Sequence, residues 1–130
     1  MVQRERIDPW TWQQQYGFAH AWRLTGAEEL LFVSGQASLD EQGTVLHAGD
    51  IAAQTRLTFE NLARVLGDAG YALSDIVKLT AYVVDTAHLP DYGAVMAEFM
   101  AGHRPAQTFV GVSDLALPGM LVEVEAIAAR

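Results

Sequence analysis

The chain has no cysteine among its 130 residues, a single lysine (Lys78) and only four prolines. It also has no uninterrupted apolar run of the roughly 18 residues that spanning a bilayer requires. Without sulfur there can be no disulfide, thiolate nucleophile, iron–sulfur ligand or zinc–thiolate site. Eight Lys and Arg stand against sixteen Asp and Glu, a net charge of −8, and no basic cluster reverses that balance locally. Such a surface repels phosphate backbones, so nucleic acid is not the expected partner. The N-terminus, Met1-Val2-Gln3-Arg4-Glu5-Arg6, is charged and no apolar h-region follows it. The expectation is a cytoplasmic protein without a membrane partner. His20, His47, His88 and His103 show neither an i,i+4 pair nor a His-x-Glu arrangement, so no metal site is expected. The Gly67-Asp68-Ala69-Gly70 run lacks the Lys and Ser/Thr of a phosphate loop and reads as a helix end.

What is present is 51% hydrophobic residues, enough for one ordinary core, and turn signals that cut the chain into short elements. Residues 1–15 carry Trp10 and Trp12 among Gln13, Gln14 and Gln15, a composition expected of an N-terminal extension packed on the body formed by residues 16–130. From Phe18 to Ser34 the pattern reads as two strands around Thr25-Gly26-Ala27-Glu28, the second central because Leu30 to Val33 is continuously apolar. A short strand is expected at Thr44-Val45-Leu46. Asp50 caps a helix bearing Ile51, Thr55, Phe59, Leu62, Val65 and Leu66 at helical spacing, closed by Gly67 to Gly70. Val77, Leu79, Ala81 and Val83 alternate with Lys78, Thr80 and Tyr82 in a half-buried strand. Pro90 opens a second helix with Val95, Met96, Phe99 and Met100 on its apolar face. Thr108–Val112 and Leu121–Ala128 complete the strands. Two helices cover one face of such a sheet, and the other face needs a second cover, most economically further copies of the chain arranged as a ring with clefts between them.

Several strings carry a resemblance: Ser34-Gly35-Gln36, Asp50-Ile51-Ala52-Ala53-Gln54-Thr55 with Asn61-Leu62, Ala69-Gly70, Asp75-Ile76-Val77-Lys78, Arg104-Pro105-Ala106, and Val122-Glu123-Val124-Glu125-Ala126-Ile127-Ala128. Their order and spacing resemble the RidA/YjgF family from about Phe18 to Ala128, with one extra residue before Pro118. The resemblance implies an α+β, chorismate-mutase-like fold, a homotrimer with three inter-subunit clefts, and cofactor-free hydrolysis of reactive imines and enamines such as 2-aminoacrylate to a keto acid and ammonia. Glu123 falls on the family's water-handling glutamate, and Ser34 and Gly35 on its backbone-contributing pair. The arginine that clamps the substrate carboxylate falls on Gln107. Phe18 stands for a tyrosine, Phe109 for a cysteine and Gly93 for a cleft asparagine. The implied cleft is therefore more apolar, holding one carboxylate and one amide, and desolvation should raise the pKa of Glu123.

Two readings stay open at this stage. One is an imine or enamine deaminase with a non-standard, more apolar substrate, and the other is a non-catalytic trimer holding a small metabolite in the same cleft. RNA cleavage, attached to some relatives, ranks last, since one lysine and a net charge of −8 make an RNA groove hard to build. His20, two residues after Phe18, either approaches the cleft or sits at the surface.

Overall fold

The Asp50 carboxylate accepts the N–H of Ala53 at 3.0 Å, satisfying an orphan donor of the first helical turn. Helix α1 then runs Ile51–Asp68 in the computed structural model, which describes residues 1–130. The strands are β1 Gln3–Ile7, β2 Ala21–Thr25, β3 Leu30–Ala37, β4 Ile76–Val83, β5 Ala106–Gly111 and β6 Val122–Ala129; helix α2 is Leu89–Met100, with Pro90 in its first turn. Four strands form one sheet in the order β3-β6-β4-β5. Its pairs are antiparallel except β4 with β5, which are parallel and joined through α2, as a parallel pair requires a crossover.

Both helices lie on one face of this mixed sheet, giving the α+β architecture expected from the sequence. Phe59, Leu62 and Leu66 of α1 and Tyr92 and Met96 of α2 close over Leu79, Ala81, Val83, Val122 and Val124. A register shift between Ile76 and Lys78 turns Ile76 inward as well. Val65, grouped with this stripe by spacing, lies at its margin and is exposed.

Four expectations are corrected. The strand expected from Phe18 begins at Ala21 and pairs with β1, not with β3. Strand β1 itself was not expected, because Gln3-Arg4-Glu5-Arg6 has no apolar face; it is held by backbone pairing, an Arg23–Glu5 ion pair at 2.8 Å and an Arg4 bond to the Ala129 carbonyl at 2.8 Å. Strand β3 is an edge of the four-stranded sheet rather than central, and it leaves Leu30 and Phe32 58% and 71% exposed. The run is apolar on both faces, and within the chain only one of them is covered. Thr44 to Leu46 is no strand; only the isolated bridge Leu39–Val45 forms there.

Gln54 ties the α1 core to the loop before β6. It is fully buried, donates to the Leu46 and Gly119 carbonyls at 3.2 and 2.8 Å, and accepts from the Leu121 N–H at 2.8 Å. Leu46 keeps a second donor in the Ser38 hydroxyl, whereas Gly119 and Leu121 would lose their side-chain partner in Gln54→Leu. That substitution is expected to cost about 3 kcal/mol, read as a lower denaturant midpoint with an unchanged slope.

Candidate functional site

The expected site residues fall into two groups. Phe18, Gly93, Gln107 and Phe109 line one cavity of about 750 Å³ at the β5 edge of the sheet, between α2 and residues 14–18. Its third wall, Gln14, Gln15 and Tyr16, comes from a single helical turn over Trp12–Tyr16. Gly17, with φ of 74°, ends that turn in the left-handed region that glycine adopts without strain. Gln13 is fully buried, and its Oε1 lies 3.1 Å from His20 Nε2. The His20 ring is met edge-on by Trp10, Trp12 and Phe18, with centroids 5.1, 5.0 and 5.7 Å away. His20 is thus a packing residue behind Phe18, neither a cavity-lining group nor a free surface histidine.

Among the cavity residues that sequence reasoning passed over, Tyr92 is the one bonded to an expected site residue. It is fully buried, its ring is 5.3 Å from that of Phe109, and its hydroxyl donates to Gln107 Oε1 at 3.2 Å. Burial pushes its phenol well above the ordinary tyrosine range, so the proton stays on. Its place at i−3 and i−4 from Val95 and Met96 was the available signal for burial, but nothing local pointed to Gln107.

Ser34, Gly35 and Glu123 form the second group, elsewhere. Glu123 on β6 pairs with Tyr82 on β4, while Gln107 pairs with Leu79, a core residue. Since successive side chains of a strand point to opposite faces, Glu123 is on the uncovered face and Gln107 on the helix face. Ser34 and Gly35 occupy an irregularity in β3 between Val33 and Gln36, at the edge of the sheet opposite β5. Edge to edge this is three strand spacings, roughly 14 Å.

The Glu123 side chain packs directly on Gly35: a Cβ at that glycine would lie 2.6 Å from Glu123 Cδ. Burial first, and then the negative charge of Glu125, raise the Glu123 carboxyl above its ordinary value of 4.5. The two glutamates differ in engagement. Glu125 is exposed and accepts the Tyr82 hydroxyl at 2.6 Å, whereas Glu123 is half-buried and makes no side-chain hydrogen bond within the chain. A half-buried carboxylate with free lone pairs and a raised pKa is suited to accept a proton from water. No group of three or more His, Asp or Glu side chains converges as metal ligands would, and no helix is long and apolar enough to cross a membrane.

Known proteins share this architecture. The family described as endoribonuclease L-PSP matches residues 15–130. The chain is 38% identical to a RutC family protein of Pyrococcus horikoshii over 78% of its length and 80% of that protein's. It is 38% identical to the 3-aminoacrylate deaminase RutC of Acinetobacter baylyi over 80% of its length and 82% of the relative's. The crystal structure of YyfB, a Rid family protein of Yersinia pestis, superposes with a TM-score of 0.88 at 36% identity over 98% of both chains, so it shares the N-terminal segment too. With a family match across nearly the whole length and relatives this similar, the chain belongs to the RidA/YjgF family.

Proposed function

We propose that this protein hydrolyses a reactive imine or enamine to a carbonyl compound and ammonia, in clefts formed between the copies of a homotrimer. The observation that carries the reading is Glu123, a half-buried carboxylate with no partner inside its own chain, seated on a glycine that leaves room for it. Similarity to a 3-aminoacrylate deaminase supports the reaction class. The trimer is supported by the separation of the two residue groups. No small ligand of one chain reaches both Gln107 and Glu123, but a ring that sets the uncovered sheet face of one copy against the β5 edge of the next joins them. Such a contact is heterologous, and it closes when each step turns by a third of a circle. The exposed Phe32 and Leu30 are then covered.

In that cleft the substrate's apolar part lies against Phe18, Phe109 and the bare Gly93, and Gln107 contacts its polar end. Ser34 and Gly35 present backbone beside the reacting carbon. Glu123 takes a proton from water as the oxygen adds to the C=N carbon. That proton passes to nitrogen, giving a hydroxyl–amine adduct; the hydroxyl proton then also moves to nitrogen through Glu123 as the C–N bond breaks, the C=O bond forms and ammonia leaves. Imines already hydrolyse in water, so holding substrate and water in line is the main task. No metal or organic cofactor is called for by this chemistry. The cavity's lack of any charged lining residue favours one second reading, a small-metabolite binder without turnover. Ammonia release from imines made in situ, 2-imino acids with small and bulky apolar side chains from an amino-acid oxidase and uncharged imines from a flavin amine oxidase, separates the two. Acceleration over buffer supports the enzyme, and saturable calorimetric binding of an unconverted ligand with no acceleration supports the binder.

A further inference from the structure

The cavity at the β5 edge is lined by fifteen residues, and none of them is Lys, Arg, His, Asp or Glu. Of its polar lining residues, Gln107 is the one held by a fully buried partner, Tyr92. Tyr92 is fixed on both sides, its ring 6.0 Å from Phe59 and 5.3 Å from Phe109, and its buried hydroxyl has only Gln107 Oε1 to donate to. That bond sets the orientation of the amide. The oxygen is occupied by the phenol, and Nε2, which makes no bond within the chain, is left with its two N–H donors for a ligand.

Donors without a cation discriminate. A neutral carbonyl accepts such a bond at little desolvation cost, whereas a carboxylate entering the same site must give up its water with no opposite charge to meet it. The cations nearest in sequence or register do not supply one. Arg104 lies 3.9 Å from Asp8, both side chains being largely buried, and Lys78 bonds to Thr108 Oγ1 at 3.1 Å. Lys78 is on the uncovered face, because it precedes the inward Leu79. In the cleft inferred above the neighbouring sheet face brings Glu123, with Glu125 two positions on, both repelling a carboxylate, while its Lys78 lies four positions along β4 from Tyr82, the register partner of Glu123, roughly 13 Å away.

We propose that the Tyr92–Gln107 pair makes this site selective for an uncharged substrate: an imine or enamine bearing a neutral carbonyl acceptor, such as an amide or ester, where a 2-imino acid carries its carboxylate. This rests on the deaminase reading and adds the chemical class of the substrate and a positioning residue, Tyr92.

Calorimetric titration tests it with two stable product analogues, the 2-keto acid with an isobutyl side chain and its primary amide. Wild type is expected to bind the amide at least about tenfold more tightly than the acid. Gln107→Arg is expected to invert the preference, since a guanidinium pairs with a carboxylate. Tyr92→Phe keeps the ring packing but frees the amide to turn, and is expected to lower the amide-to-acid ratio several-fold without loss of fold by circular dichroism. Acid binding as tight as the amide in wild type, no binding of either, or an unchanged ratio in Tyr92→Phe overturns the proposal. The deaminase reading is judged separately, by ammonia release, and survives any of these results if imine hydrolysis is accelerated.

Discussion

Glu123→Gln is expected to lower ammonia release from an accepted imine by about 100-fold or more, the usual worth of a positioned general base. Glutamine keeps the volume that packs on Gly35 and loses only the proton-accepting charge, so the loss is in turnover rather than in folding. The sign of the linkage separates the two. A carboxyl whose pKa is raised by folding binds more protons in the folded than in the unfolded state between its ordinary and raised values, so it loses stability as pH rises through that window. Removing the charge removes that loss, and Glu123→Gln should be at least as stable as wild type at pH 7. The same raised pKa sets the acid limb of the pH profile. Activity should climb with pH at a value above that of an ordinary carboxylate, and that limb should be missing from the variant's residual rate. Equal turnover in the two proteins would remove Glu123 from the mechanism.

If the proposed ring forms, Phe32→Asp is expected to break it into monomers. Phe32 projects from an edge strand with 71% of its surface exposed, beside Ile127 on the uncovered sheet face. Burying such a side chain contributes about 2 kcal/mol, and a carboxylate buried there unpaired costs several more. Together these weaken each interface by roughly 4 kcal/mol or more, about a thousandfold in dissociation constant. Sedimentation should then report the 14.2 kDa chain mass in place of three times that value. Because the side chain points away from the α1–α2 core, the monomer should keep its helical circular dichroism and lose ammonia release. A variant that stays trimeric would place the interface elsewhere.

Legibility in the sequence followed the range of the interaction. Helix α1 was readable because its signals are local: the Asp50 cap bonds three residues on, and its stripe repeats every three or four positions. Strand β4 was readable for the same reason, its alternation reporting one buried face. Strand β1 was not, since its stability comes from partners far along the chain, Arg4 reaching Asp75 and Ala129. The misplacement of β3 has a different cause. Periodicity reports that Leu30 to Val33 is apolar on both sides, but not that only one side is covered within the chain. At the site, Glu123, Gln107 and the three departures at Phe18, Gly93 and Phe109 came from the resemblance, and spacing alone pointed to none of them. Tyr92 escaped because its hydrogen bond to Gln107 spans the α2–β5 connection, where no periodic pattern links the two residues.

The proposed cleft takes Glu123 from one copy and its ligand cavity from another. Subunit complementation tests it most directly, using Glu123→Gln, which keeps the cavity, and Gly93→Trp, which fills it. A Cβ at Gly93 meets nothing within 4 Å, so the indole enters open space rather than the core. Each variant alone should be nearly inactive. Unfolded together and refolded at equal amounts, they should recover roughly a quarter of the wild-type sites by random assortment in the ring. Mixed trimers confirmed by native mass spectrometry yet as inactive as their parents would contradict the claim and return both residues to a single chain.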